Sequence, residues 1–198
     1  MGVAMRYVVI GCAAVLAAVC VVSAASKARS RSAFVAFIAS AGLLLPKYPR
    51  SLAVPIAWAV LGAEVAVTPL LFLAPIAGFA LAAVLLLGFC GTVALAVHKG
   101  VREPCRCFGA GAAPLGYRHA VRAGALGGIA VLGGAGAVAL AVRGAAGLFV
   151  GADPGGVAVA VAVATVLVAV TVRLDDLVDL FSTPAYRSGN ALNPVERI

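Results

Sequence analysis

Residues 76–97 read IAGFALAAVLLLGFCGTVALAV and contain no charged side chain. A helix of about 20 apolar residues crosses the hydrocarbon core of a bilayer, because it satisfies its own backbone hydrogen bonds. This stretch therefore predicts a transmembrane helix. The whole composition agrees, since 64% of the 198 residues are hydrophobic and 11% are charged. Soluble domains have about a quarter charged residues, so we expect a multi-pass protein of the cell membrane, surrounded by the lipid bilayer.

Four further apolar runs flank this stretch. They cover residues 7–25, 52–73, 121–142 and 157–172. The first run ends in small residues, so a cleaved signal peptide is the alternative to a membrane helix there. The last run is the shortest of the set. The pattern predicts an all-α bundle of four transmembrane helices, with a fifth transmembrane helix added after it.

Proline and glycine within these runs predict how the helices bend and pack. Pro55 and Pro69 indicate kinks in the run at 52–73, because proline removes a backbone donor from a helix. Gly124 and Gly128 have the spacing that lets two membrane helices approach closely. We interpret both features as packing.

Shorter segments connect and follow the runs. Residues 33–45 are apolar but too short to cross a bilayer, and Pro46 ends them, which predicts an interfacial or re-entrant helix. Residues 174–181 alternate apolar side chains with aspartates at helical spacing, which indicates a helix lying along the interface. The expected domains are a four-helix membrane domain at 1–142 with a polar connection at 98–119, an added membrane helix and interfacial helix at 143–181, and a disordered tail at 182–198.

The cations predict an orientation. The chain has 15 Lys and Arg against 7 Asp and Glu, and because these cations flank apolar runs we expect no nucleic-acid partner. One side of the predicted bundle has only Arg6 and Arg143, whereas the other side carries all remaining Lys and Arg. The positive-inside rule then places the N terminus outside and the 98–119 connection in the cytoplasm.

The polar connection contains the motif REPCRCFG at residues 102–109. Arg102 and Arg106 lie close in sequence to Cys105 and Cys107, and nearby cations favour the thiolate, which is the reactive form. Two cysteines one residue apart form a disulfide only in a tight ring, and strained disulfides exchange readily. The motif therefore favours a redox pair, with Cys105 and Cys107 as candidate catalytic residues.

Other interpretations of these cysteines stay open. The pair is also compatible with two inert thiols at an interface, or with part of a metal site completed by His98 and His119. The remaining cysteines lie in apolar runs and are expected to be small buried hydrophobic side chains; they are Cys12, Cys20 and Cys90.

Besides Arg102 and Arg106, three further charged residues are candidates for supporting roles. Glu64 lies in the middle of a predicted span, where a charge is costly, so it indicates a proton relay or the partner of a buried cation. A neutral Glu64 bonded to another helix is the alternative. Arg118 and Arg122 are one helical turn apart, so we expect them to share a face, either at the lipid headgroups or over the thiol loop.

The order of these features resembles the methylamine utilisation protein MauE family, within the broader MauE/DoxX group of redox-associated membrane proteins. The resemblance is carried by Ser26-Lys27 after the first run, Leu-Leu-Leu-Pro at 43–46, Glu64, Cys-Arg-Cys-Phe-Gly at 105–109, and Tyr117-Arg118 followed by Arg122. The family commonly has Gly, Trp and Asn where this chain has Arg106, Tyr117 and Ala123.

The resemblance implies a DoxX-like four-helix bundle and a thiol–disulfide oxidoreductase role with a thioredoxin-like partner, as in the maturation of methylamine dehydrogenase. A looser similarity to vitamin K epoxide reductase implies a quinone as electron acceptor. That similarity places the thiols outside, whereas the cation distribution places them inside. A small transport or metal-binding accessory subunit with structural cysteines is the alternative function.

Overall fold

A computed structural model describes residues 2–44, 50–99, 117–144, 148 and 152–181. Regular structure in this part of the chain is entirely helical, and a short 3-10 turn, Arg50–Leu52, precedes the third α-helix. The helices are α1 (Gly2–Ala28), α2 (Arg31–Leu44), α3 (Ala53–Leu73), α4 (Pro75–His98), α5 (Tyr117–Val142) and α6 (Pro154–Phe181). Of these, α1, α3, α4 and α5 are long and apolar enough to cross a membrane. The predicted all-α membrane class is therefore confirmed.

A single residue, Ala74, joins α3 to α4 and makes them a tight helical hairpin. Pro75 occupies the start of α4, where its missing N–H leaves no helical bond unmade. Gly78 lies against the backbone of α3, and a Cβ at this position would overlap the backbone of Leu71. The hairpin is tight because Pro75 begins α4 directly after Ala74 and because Gly78 leaves room for the backbone of α3.

The prolines predicted to kink α3 occupy different environments. Pro69 lies inside the helix, as expected. Pro55, however, falls in the first turn, since α3 begins at Ala53. The first turn of a helix has no acceptors for its own N–H groups, so proline is tolerated there without bending the axis.

Helices α4 and α5 pack side by side in opposite directions. The contacts run from Cys90 against Ala120, near the 98–119 connection, to Phe79 against Gly133 at the other end. A Cβ at Gly133 would enter the Phe79 ring, which is fully buried. The close approach predicted at Gly124 and Gly128 is thus only half right. A Cβ at Gly124 would lie 3.4 Å from the Cys90 sulfur of α4, whereas a Cβ at Gly128 would meet nothing within 4 Å.

Helix α1 supplies much of the core of the bundle. It contacts α3, α5 and α6, and half of its most apolar stretch is buried, a larger share than in the other three spans. Fully buried side chains on this helix include Ile10, Ala13 and Leu16. This packing favours a helix that belongs to the bundle over a signal peptide that is removed.

The short helix α2 runs back along the first half of α3. Phe34 contacts the ring of Trp58 with 4.7 Å between centroids, and Gly42 lies beside Ala53 near the start of α3. Ser30 caps the N-terminal turn of α2, since its Oγ accepts a hydrogen bond from the Ala33 N–H at 3.1 Å. The predicted short helix therefore exists and packs against the bundle.

Helix α6 is one continuous helix, whereas the sequence suggested a span followed by a separate interfacial helix. Its start is fixed by Asp153, whose carboxylate accepts a hydrogen bond from the Gly156 N–H, and whose own N–H donates to the Tyr7 hydroxyl of α1. Its apolar part, Pro154–Val170, is shorter than the four spans. A fifth crossing stays a prediction, and the predicted tail at 182–198 lies outside the described residues.

Candidate functional site: a buried ion pair and the ends of the thiol connection

The predicted redox pair, Cys105 and Cys107, lies outside the described residues, as do Arg102 and Arg106. The structure describes the two helix ends from which their connection leaves. Helix α4 ends at His98 and α5 begins at Tyr117. Because these helices are antiparallel neighbours, the connection starts and finishes at the same end of the bundle. This is also the end at which α3 begins.

The other predicted residues around this connection are partly exposed. His98 and Arg118 are exposed, whereas His119 and Arg122 are half-buried. Within the described ranges, no group of three or more His, Cys, Asp and Glu side chains comes together as a metal site would require. The suggested metal ligands include Cys105 and Cys107, so that alternative stays a prediction.

Glu64 has a definite partner in the structure. It is the twelfth residue of α3, about 17 Å from the start of the helix at 1.5 Å per residue. Lys27 on α1 donates hydrogen bonds to both carboxylate oxygens, at 2.6 Å to Oε1 and 2.8 Å to Oε2. Of the two functional roles suggested for Glu64, the geometry matches the partner of a buried cation.

Ser23 completes the contact between the two helices. Its Oγ accepts a hydrogen bond from Lys27 Nζ at 2.7 Å and donates one to Glu64 Oε1 at 3.0 Å. Ser23 and Lys27 are four residues apart on α1, so they share the face that meets α3. All three protons of the ammonium group therefore have an acceptor, which is the full capacity of a lysine.

The ion pair is closed off from its surroundings on the lysine side. Lys27 is 2% exposed and Glu64 is 14% exposed. Phe37 of α2 covers the ammonium group, with its ring centroid 4.9 Å from Nζ, a distance at which the ring face attracts a cation. The site is thus assembled from α1, α2 and α3, and the short helix α2 acts as its cover.

The low exposure of Lys27 and Glu64 determines how much stability is lost when either residue is removed. A buried charge that loses its partner destabilises a protein by about 3–5 kcal/mol, because the remaining charge has neither water nor a counter-ion. In a hydrocarbon environment the polar alternatives are fewer still. Lys27 and Glu64 therefore hold the end of α1 against the middle of α3, and each depends on the other.

The structure corrects the sequence interpretation of Lys27. The sequence pattern places Lys27 among the loop cations that orient the protein, whereas the structure places it inside the bundle. The sequence does show that Ser23 and Lys27 are four residues apart, and that a carboxylate within a span, such as Glu64, favours a cationic partner. Nothing in the sequence selected Lys27 over the other cations, because the pairing joins residues 37 positions apart. When Lys27 is left out of the count, the Lys and Arg of the loops still concentrate on the same side of the predicted bundle.

The three cysteines in the described helices are free thiols. Cys20 is buried one turn before Ser23, whereas Cys12 and Cys90 are half-buried. The Cys90 thiol donates to the backbone oxygen of Ala120 at 3.2 Å, which ties α4 to α5. Their surroundings agree with the expected packing role.

Comparison with known proteins identifies the family. The profile of the methylamine utilisation protein MauE matches residues 5–138, a range that includes Lys27, Glu64 and both cysteines of the Cys-x-Cys motif. No curated protein and no solved structure matches the chain significantly. Since the match covers more than half of the sequence and the helices it spans form one membrane bundle, the chain belongs to the methylamine utilisation protein MauE family.

Proposed function

We propose that this protein is a membrane thiol–disulfide exchange protein that assists disulfide formation in, or electron transfer to, a thioredoxin-like partner. The observation that carries the proposal is the Cys105-Arg106-Cys107 motif, which lies in the polar connection between two spanning helices and within the family match. The family name suggests an accessory role in methylamine utilisation, and this role is part of the proposal.

The proposed chemistry is a balanced two-electron exchange. With Cys105 and Cys107 joined as a disulfide, a partner thiolate attacks one sulfur and releases the other as a thiolate, which gives a mixed disulfide. The partner's second thiolate then attacks the partner sulfur of the mixed disulfide, which forms a disulfide within the partner and releases the second cysteine of the pair as a thiolate. The partner loses two electrons and two protons in total, and Cys105 and Cys107 become a dithiol. Transfer of two electrons and two protons from this dithiol to a membrane quinone, which becomes a quinol, closes the cycle.

The bundle supports this proposal by fixing the framework around the connection. Contacts such as Cys90 against Ala120 hold the last turns of α4 beside the first turns of α5. Lys27 and Glu64 hold the end of α1 to the middle of α3. We assign Glu64 the role of the lysine's counter-ion rather than a proton relay, because both of its oxygens are bound to the ammonium group.

The test of the proposal is a trapping experiment. Each single variant, Cys105→Ser and Cys107→Ser, is expressed, quenched with acid, alkylated and run on non-reducing gels. Because the exchange is reversible, a single remaining cysteine can form the same mixed disulfide by attacking the disulfide of an oxidised partner. The variant that keeps this attacking cysteine and lacks the resolving one should accumulate a covalent adduct with a thioredoxin-like protein. The double variant is the matched control and should form no adduct.

A negative result in this experiment has a definite meaning. If neither single variant traps a partner, and the wild-type pair also stays reduced under oxidising conditions, the redox proposal fails. The transport or metal-binding accessory role with structural cysteines then takes its place.

A further inference from the structure

Helix α6 lies beside α1 and runs in the same direction. The Tyr7 hydroxyl accepts a hydrogen bond from the Asp153 N–H at 2.9 Å, and a Cβ at Gly156 would overlap the Tyr7 ring. About one turn further along both helices, a Cβ at Gly11 would lie 4.0 Å from the Ala160 oxygen. Because residue numbers rise together along the two helices, α6 is parallel to α1.

The contact continues along α6. Ala164 is buried in the same core as the side chains of α1, and Val157 and Val168 pack against that core. With Ala160, these residues recur every three or four positions, so they form one face of the helix. This face covers about 16 Å at 1.5 Å per residue. Helix α6 therefore stays beside α1 deep into the bundle.

The opposite face of α6 is exposed and apolar. Val159, Val163 and Val166 are each more than half exposed. The exposed Thr165 donates a hydrogen bond to the Val161 carbonyl oxygen at 2.9 Å, so its hydroxyl is satisfied within the helix. No side chain on this described part of α6 is charged. Lipid acyl chains match such a face, because a helix satisfies its own backbone and this one brings no charge into the hydrocarbon.

The length of the uncharged helix also fits a membrane crossing. Thr171 and Val172 continue the helix, and the next residue, Arg173, is the first charged one. The uncharged stretch 154–172 therefore holds 19 residues, which rise about 28 Å at 1.5 Å per residue. The hydrocarbon core of a bilayer is about 30 Å thick. Helix α6 is thus long enough to cross beside α1, which is itself long and apolar enough to cross.

We propose that α6 is a fifth membrane crossing, with one face on α1 and the other against lipid acyl chains. Helix α5 leads away from the thiol connection, so α6, which follows it and crosses again, returns to the end of the bundle that carries this connection. Arg173 and the aspartates between 175 and 179 then leave the hydrocarbon on the same side as Cys105 and Cys107. The inference does not depend on the proposed exchange function, and α6 lies beyond the family match, which ends at residue 138.

The test places one cysteine before α6 and one after it, each in the Cys105→Ser/Cys107→Ser variant, which without an added cysteine gives the blank. Arg143→Cys marks the segment before the helix, and Ser188→Cys marks the segment after it. A membrane-impermeant maleimide is applied to intact cells and again after the membrane is broken. We expect the two positions to lie on opposite sides. Ser188→Cys should label under the same condition as Cys105 and Cys107 of the wild type.

Disulfide crosslinking tests the parallel packing on α1. In a Cys12→Ser background, Gly11→Cys/Ala160→Cys should form an intramolecular disulfide on oxidation with copper phenanthroline, and peptide mass detects the link. Gly11→Cys/Val159→Cys is the matched control, since Val159 lies on the exposed face, and it should remain unlinked.

The outcomes bear on separate parts of the inference. If Arg143→Cys and Ser188→Cys label alike in intact cells, α6 does not cross the membrane. If the 11/160 pair links no better than the 11/159 pair, the parallel contact with α1 is wrong. The single variant Val163→Cys should stay a monomer on non-reducing gels after oxidation. A disulfide-linked dimer would show that a second copy, and not lipid, covers the exposed face.

Discussion

Lys27, in the last turn of α1, donates hydrogen bonds to both carboxylate oxygens of Glu64 in the middle of α3. The two residues belong to different spans. Lys27 is buried, Glu64 is 14% exposed, and each is the counter-charge of the other. Either charge without the other would destabilise the folded protein at this position. The bundle therefore depends on the two charges as a pair, which a double-mutant cycle measures directly.

The first prediction is that Lys27→Met and Glu64→Gln are each more destabilising than their combination. Either single change leaves one buried charge without its partner, and should lower the free energy of unfolding by about 3 kcal/mol. The double variant has no buried charge at this site, and Ser23 can still donate to the glutamine oxygen. Unfolding in detergent, followed by circular dichroism, gives the four free energies that the cycle needs.

Arg143→Met is the matched control for this cycle, since it removes an exposed cation at the opposite end of the bundle. It should change the free energy of unfolding by less than about 0.5 kcal/mol. If the loss in free energy of unfolding of the Lys27→Met/Glu64→Gln variant equals the sum of the two single losses, the two residues are energetically independent.

The second prediction uses the contact between Gly133 and Phe79. Gly133→Ala places a methyl group in the space of the buried ring and should cost about 1–3 kcal/mol of stability. Gly128→Ala, on the same helix and with open space around it, is the matched control and should be neutral or slightly stabilising. Equal thermal midpoints for the two variants would mean that α4 and α5 are not packed as closely as described.

The third prediction concerns α1. Its buried side chains contact α3, α5 and α6, and its Ser23 and Lys27 hold Glu64, so we expect α1 to stay in the functional protein. Epitope tags placed at both ends of the chain should be found on one membrane-bound species of full mass. A membrane species that has lost the N-terminal tag would restore the signal-peptide interpretation.

The fourth prediction is the orientation of the bundle. Because the loop cations concentrate at the end that carries the thiol connection, we expect this connection in the cytoplasm. A membrane-impermeant maleimide should leave Cys105 and Cys107 unlabelled in intact cells and label them once the membrane is broken. The double Ser variant measures labelling of the other cysteines. Rapid labelling in intact cells would place the thiols outside, as the similarity to vitamin K epoxide reductase implies.

The helices were largely predictable from the sequence, for a physical reason. Hydropathy along the chain reports directly on which segments a bilayer accepts, so the four spans followed from local composition. Helix ends were less accurate. The predicted first run began at Tyr7, whereas α1 begins at Gly2 and includes Arg6, because a helix continues past the hydrocarbon core wherever its backbone bonds can form.

Features that join distant segments were harder to predict. Glu64 was recognised as unusual because a carboxylate in a span is costly, but its partner depended on how α1 lies against α3. The burial of Lys27 under Phe37 depended further on the return of α2 along α3. Likewise, Gly127 and not Gly128 faces Leu87 of α4, because the rotation of α5 about its own axis is set by packing.

The measurement that tests the central claim most directly is a redox titration of the wild-type pair. The purified protein is equilibrated in dithiothreitol buffers of graded potential, quenched with acid and alkylated, and the mass of the peptide containing Cys105 and Cys107 is read. We predict a single two-electron transition in which both thiols disappear together as the potential rises, and which is absent when either cysteine is changed to Ser. A pair that remains as two free thiols throughout the series, or two cysteines that are oxidised independently, would contradict the proposal that this protein exchanges disulfides.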